Sequence, residues 1–92
     1  MTRVVNKYKE PYDVYIGRGS PWGNPFTHLI GGTSATWLVG SREEAISRFA
    51  VWIQMQPELL ARLPELKGKT LGCFCKPKAC HGDILARLAD DT

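Results

Sequence analysis

The chain is poor in cysteine, with three residues in 92, and it has no long apolar run. A helix that crosses a bilayer needs roughly 20 consecutive apolar residues, and no stretch approaches that length, so a membrane role is not expected. Three cysteines cannot all pair within one chain, which excludes a disulfide framework as the organising device. The start, Met1-Thr2-Arg3-Val4-Val5-Asn6, lacks the apolar centre of a secretory signal, and a cytoplasmic setting is expected. Structural disulfides are rare there, so the cysteines read as free, metal-bound or catalytic. A strong charge excess is also missing. The formal net charge of +3 suits anionic ligands but falls short of the dense basic stripe of a dedicated DNA binder.

What is present fits one ordinary globular domain spanning residues 1–92, with 43% hydrophobic and 23% charged residues. Arg3-Val4-Val5-Asn6 and Asp13-Val14-Tyr15-Ile16 read as short strands. Residues 27–40 read as either a hairpin or an ordered loop, with Trp37, Leu38 and Val39 as an apolar patch; His28 in it stands alone and reads as a surface residue. Ser41-Arg42-Glu43-Glu44 has the spacing of a capping box, and Ile46, Phe49, Ala50 and Ile53 then recur at helical spacing, predicting a helix over 42–55. Pro57 suits the first position of a second helix that Pro64 ends. A strand over 70–75 and a last helix over 82–89 complete the order. That order predicts an α/β fold: a small single-domain sandwich with a mostly parallel sheet of about three to four strands and three helices. If strands 13–16 and 70–75 are parallel neighbours, the loops after them leave the same edge, where open α/β sheets bind ligands.

Those two loops hold the candidate site. In the first, Gly17-Arg18-Gly19-Ser20-Pro21-Trp22-Gly23-Asn24-Pro25-Phe26, three glycines, two prolines and two large aromatics preclude a helix or regular strand. Gly17 and Gly19 permit close approach of the backbone to a ligand, and Arg18 and Ser20 suit a phosphate or carboxylate. The competing reading is a rigid turn whose Trp22 and Phe26 plug the core. The second loop, Cys73-Phe74-Cys75-Lys76-Pro77-Lys78-Ala79-Cys80-His81-Gly82-Asp83, holds every cysteine and three chemistries compete for it. Cys73, Cys75, Cys80 and His81 are suitable zinc ligands within nine residues, although Cys-x-Cys and adjacent Cys-His depart from the usual chelating knuckles. Alternatively, the helix start, with Gly82 for close approach and Lys76 and Lys78 for charge, takes an anion; against that, Asp83 is a natural helix cap. In the third reading Cys80 is a nucleophile favoured as thiolate at a helix N-terminus, with His81 and Asp83 as proton-transfer groups.

Residues 15–26, together with Leu71-Gly72-Cys73-Phe74-Cys75-Lys76-Pro77 and Cys80-His81-Gly82-Asp83-Ile84-Leu85, resemble a family of short bacterial and phage proteins catalogued as domain of unknown function 4326. The resemblance extends over nearly the whole chain, and the family pattern carries tryptophan where this chain has Phe74. It implies a phage or bacterial setting, with the host cytoplasm as the compartment for a phage protein, and a pocket lined by the two motifs. It implies no reaction. The residues themselves lead to the expectation of a domain that binds, and in an enzymatic version processes, a nucleotide or other phosphorylated small molecule. Arg18, Ser20 and Asn24 would hold polar groups, Trp22 would stack on a base, and the helix start would take the phosphate. The alternative expectation is a zinc-stapled module that binds nucleic acid or a protein partner.

Overall fold

The computed structural model describes residues 1–17, 20–27, 37–74, 76 and 78–92. Its elements, in chain order, are β1 (Arg3–Asn6), β2 (Val14–Tyr15), β3 (Phe26–Thr27), β4 (Trp37–Leu38), α1 (Arg42–Ile53), α2 (Pro57–Arg62), a 3₁₀ turn (Leu63–Glu65), β5 (Thr70–Cys73) and α3 (His81–Asp90). β5 is the centre of a three-stranded sheet ordered β1-β5-β2, and both of its pairings are parallel. The register sets Asn6 opposite Cys73 and Tyr15 opposite Gly72. The expected α/β architecture with three helices and a parallel sheet is therefore the one observed, and strands 13–16 and 70–75 are parallel neighbours as anticipated.

Two glycines make this small sheet feasible. Only residues 7–13 separate β1 from β2, so the connection must cross β5 with no helix to carry it. It crosses with the Tyr12 ring laid on Gly72, where an added Cβ would sit 2.5 Å from Tyr12 Cγ. On the opposite side α3 packs against β1 and β5. There a Cβ on Gly82 would lie 2.6 Å from Ile16 Cδ1 and 2.9 Å from Val4 Cγ1, so the start of the helix seats directly on the sheet. α1 packs beside α3, and Phe49, Ile53, Leu71 and Leu85 fill the space between helices and sheet with almost no exposure.

Local signals explain the helix boundaries. Ser41 caps α1, its hydroxyl oxygen accepting the Glu44 N–H at 3.0 Å. The return arm of the expected capping box differs: the Glu44 carboxylate accepts from the Gly40 N–H, one residue before the Ser41 N–H expected, and from Arg48, one turn further along the helix. α1 ends at Ile53 rather than 55, and Pro57 opens α2 at its first position. Pro64 has no N–H to extend the α ladder, so the chain tightens into the 3₁₀ turn after Arg62. The described ends of the 27–40 segment do not pair antiparallel as the arms of a hairpin would. β3 and β4 pair in parallel, Phe26 opposite Trp37, and their rings stack 5.1 Å apart. His28 and the rest of residues 28–36 lie outside the described residues. Among the described residues, no helix is long and apolar enough to cross a membrane.

Candidate functional site

Because the three central strands run parallel, their C-terminal ends share one edge, and α3 begins at that edge. Asn6, the last residue of β1, organises it. Its side-chain amide donates to the Lys76 carbonyl at 2.8 Å, and its Oδ1 accepts the Tyr8 N–H at 2.9 Å. The Lys7 N–H donates to the Cys73 carbonyl at 2.8 Å. The segments that follow β1 and β5 are thereby tied together.

The loop after β2 is tied in by histidine. His81 Nε2 lies 2.8 Å from the Ile16 carbonyl oxygen, and since a carbonyl only accepts, Nε2 carries the proton. Nδ1 faces Cys80 Sγ at 3.5 Å, and Cys80 Sγ lies 2.9 Å from Cys73 Sγ. The ring packs edge-on against Phe49 at 5.1 Å. The structure thus brings Cys73, Cys80 and His81 together, but inside the protein: the cysteines are 1–2% exposed and His81 is 7% exposed. This arrangement holds two loops to one another, and it encloses the thiol expected to act as nucleophile. Cys75 lies outside the described residues. Among the described residues, no group of three His, Cys, Asp or Glu side chains is placed to hold a metal ion.

Asp83 sits where an anion was expected. Its Oδ2 accepts the Cys80 N–H at 3.2 Å, while Cys80 Sγ accepts the Gly82 N–H, so the pair forms a capping box at the start of α3. Its Oδ1 receives Lys76 Nζ at 2.6 Å. The chain's own carboxylate thus satisfies the positive helix end and one of the two loop lysines. The side chain is 46% exposed, which makes Asp83 the solvent-reaching member of the Cys80, His81, Asp83 set.

The Gly-aromatic loop departs from the expected ligand contacts. Trp22 is 2% exposed within the core, with the Arg62 guanidinium 5.7 Å from its ring, so it is not the base-stacking surface anticipated. Asn24 is also buried. Its amide donates to the Ala45 carbonyl at 3.1 Å and its Oδ1 accepts the Phe26 N–H, which anchors the loop to α1. Gly82 packs on the sheet and Gly17 against the Tyr15 ring, so both serve close packing. The Ser20 hydroxyl donates to the Gly17 carbonyl at 2.6 Å and closes a turn. Arg18 and Gly19 lie outside the described residues.

Residues outside the two motifs' expected contacts stand at the edge instead. Tyr8 and Phe74, one or two positions beyond the paired ends of β1 and β5, are 77% and 44% exposed. Lys7 Nζ lies 4.7 Å from the Tyr15 ring centroid and 5.0 Å from that of Tyr8. Among the described residues, Lys7 and the exposed Lys78 take part in no ion pair. The available signal was positional: on a parallel sheet, side chains just past the strand ends face the ligand edge.

The model of the family described as domain of unknown function (DUF4326) matches residues 2–91. An uncharacterised 12.4 kDa protein from the nrdA-td intergenic region of Enterobacteria phage T4 is 44% identical, over 98% of this chain and 79% of its own length. An uncharacterised protein of Acanthamoeba polyphaga mimivirus is 33% identical, over 94% of this chain and 73% of its own. No solved structure matches the chain.

Proposed function

The chain belongs to the DUF4326 family, and we propose that this member binds a nucleotide or similar phosphorylated small molecule at the C-terminal edge of its parallel sheet. One observation carries the reading: every strand of the sheet leads into a basic residue within three positions. Lys7 follows β1, Arg18 follows β2 and Lys76 follows β5, with Lys78 two residues further on. Cations that follow three adjacent strands in the chain would give this edge a positive field, where such sheets take ligands. The base would lie on the exposed faces of Tyr8 and Phe74, in place of the buried Trp22. The phosphates would be held by Arg18, Lys76 and Lys78, displacing Asp83 from Lys76. Any chemistry on the ligand would fall to Asp83, since Cys80 and His81 are enclosed.

Calorimetric titration with inorganic pyrophosphate tests the anion half of the reading. Saturable binding that weakens with added salt is expected. Lys76→Ala and Arg18→Ala should each lower affinity by about 10- to 100-fold, the worth of one charge-assisted hydrogen bond. Absence of binding, or wild-type affinity in both variants, overturns it.

A further inference from the structure

We propose that Cys73 and Cys80 form a reversible disulfide, which makes the connection from β5 to α3 a site of thiol–disulfide modification. The sulfurs are already in contact at 2.9 Å, one at the last residue of β5 and the other at the cap of α3. The surroundings supply the rest of the chemistry. With its Nε2–H donated to the Ile16 carbonyl, His81 holds Nδ1 3.5 Å from Cys80 Sγ, within reach of the thiol proton that the exchange must remove. The Gly82 N–H, 3.3 Å from the same sulfur, donates to the charge that develops on it during the exchange.

The co-reactant is a small disulfide such as oxidised glutathione. The Cys80 thiolate attacks one of its sulfurs, the S–S bond breaks, and one thiolate leaves, giving a mixed disulfide on Cys80. Cys73 then loses its proton to solvent or to the departed thiolate and attacks Cys80 Sγ, expelling the second thiolate. Two protein thiols are oxidised to one disulfide, the small disulfide is reduced to two thiols, and two electrons and two protons pass between them. Because both sulfurs are buried, a small disulfide should react with them slowly. The product bond would enclose Lys76 and Lys78 in a short covalent loop between strand and helix.

The test uses the full chain, equilibrated in glutathione buffers of graded oxidised-to-reduced ratio and then alkylated under acid quench. Oxidation should lower the unalkylated mass by about 2 Da, the two hydrogens lost. One alkyl group should remain, which fragmentation assigns to Cys75, and reductant should restore all three labelled thiols. Cys75→Ser should form the same bond at the same ratio. Three labelled thiols at every ratio, or a label left on Cys73 or Cys80, overturns the proposal. A bound zinc whose removal by chelator is needed before any thiol oxidises also overturns it, by making the cysteines metal ligands.

Discussion

Asp83 meets two positive groups with one carboxylate: the start of α3, through the Cys80 N–H, and the Lys76 ammonium. Both are groups that a phosphate would seek, so Asp83 competes with the ligand proposed. Asp83→Asn keeps the side chain's shape and one acceptor while removing the charge. The expected outcome is tighter pyrophosphate binding, by a few-fold, with a loss of roughly 0.3–1 kcal/mol in stability from the weaker helix-end interaction. Calorimetry and a denaturant melt on the same preparation check both signs. Weaker binding would instead make Asp83 a direct ligand contact. Tyr8 and Phe74 separate base from phosphate recognition. Stacking on an aromatic side chain is worth about 1–3 kcal/mol per base. Tyr8→Ala and Phe74→Ala should therefore weaken a nucleoside triphosphate while leaving pyrophosphate binding unchanged.

Among the elements, α3 is held at both ends by side chains rather than by length. At its N-terminus His81 reaches the Ile16 carbonyl, and near its C-terminus Asp90 accepts from the Thr2 hydroxyl at 2.7 Å and the Thr2 N–H at 3.0 Å. The Thr2 hydrogen bonds, its side chain's above all, hold the Asp90 carboxyl below the usual carboxylate range. A carboxyl whose folded value is depressed releases its proton more readily in the native state than in the unfolded chain. Its contribution is thus complete above the ordinary aspartate value and fades as pH falls through the lowered native value. Wild type should exceed Asp90→Asn in thermal stability at neutral pH, and the gap should close in acid; melts across the acid range read this directly. The helices were legible because periodicity and caps are local: Ser41, Pro57 and the apolar spacing of Ile46, Phe49 and Ile53 mark α1 and α2 without reference to the rest of the chain. The β3–β4 pair was not legible. Two-residue strands have no alternation to detect, and their parallel pairing depends on the tertiary stacking of Phe26 on Trp37. Trp22 and Asn24 misled for a related reason. Glycine- and proline-rich loops have no period, so nothing in the sequence distinguishes an aromatic or amide turned inward from one turned to a ligand.

At the scale of the molecule, the sheet orders the two motifs. Parallel strands bring residues 6–8, 16–17, 73–74, 76 and 78–83 to one edge, Asn6 and His81 lock the three segments together, and Gly72 and Gly82 allow so few residues to cover both faces. That the loops after β2 and β5 leave a common edge was readable from element order, because parallel neighbours impose it. The loop after β1 was not implicated, since its place beside β5 follows from strand order β1-β5-β2, which no local pattern encodes. The central claim is that this edge is the ligand surface. Its most direct test is a ¹⁵N–¹H correlation spectrum of the protein recorded through a titration with a nucleoside triphosphate. Saturable shifts are expected to concentrate at residues 7–8, 16–20 and the non-proline positions of 74–83, with the exposed Val51 on α1 and the exposed Met55 just past its end unmoved. Shifts centred on Val51, Met55 or Trp37, or a spectrum that does not change, would contradict it.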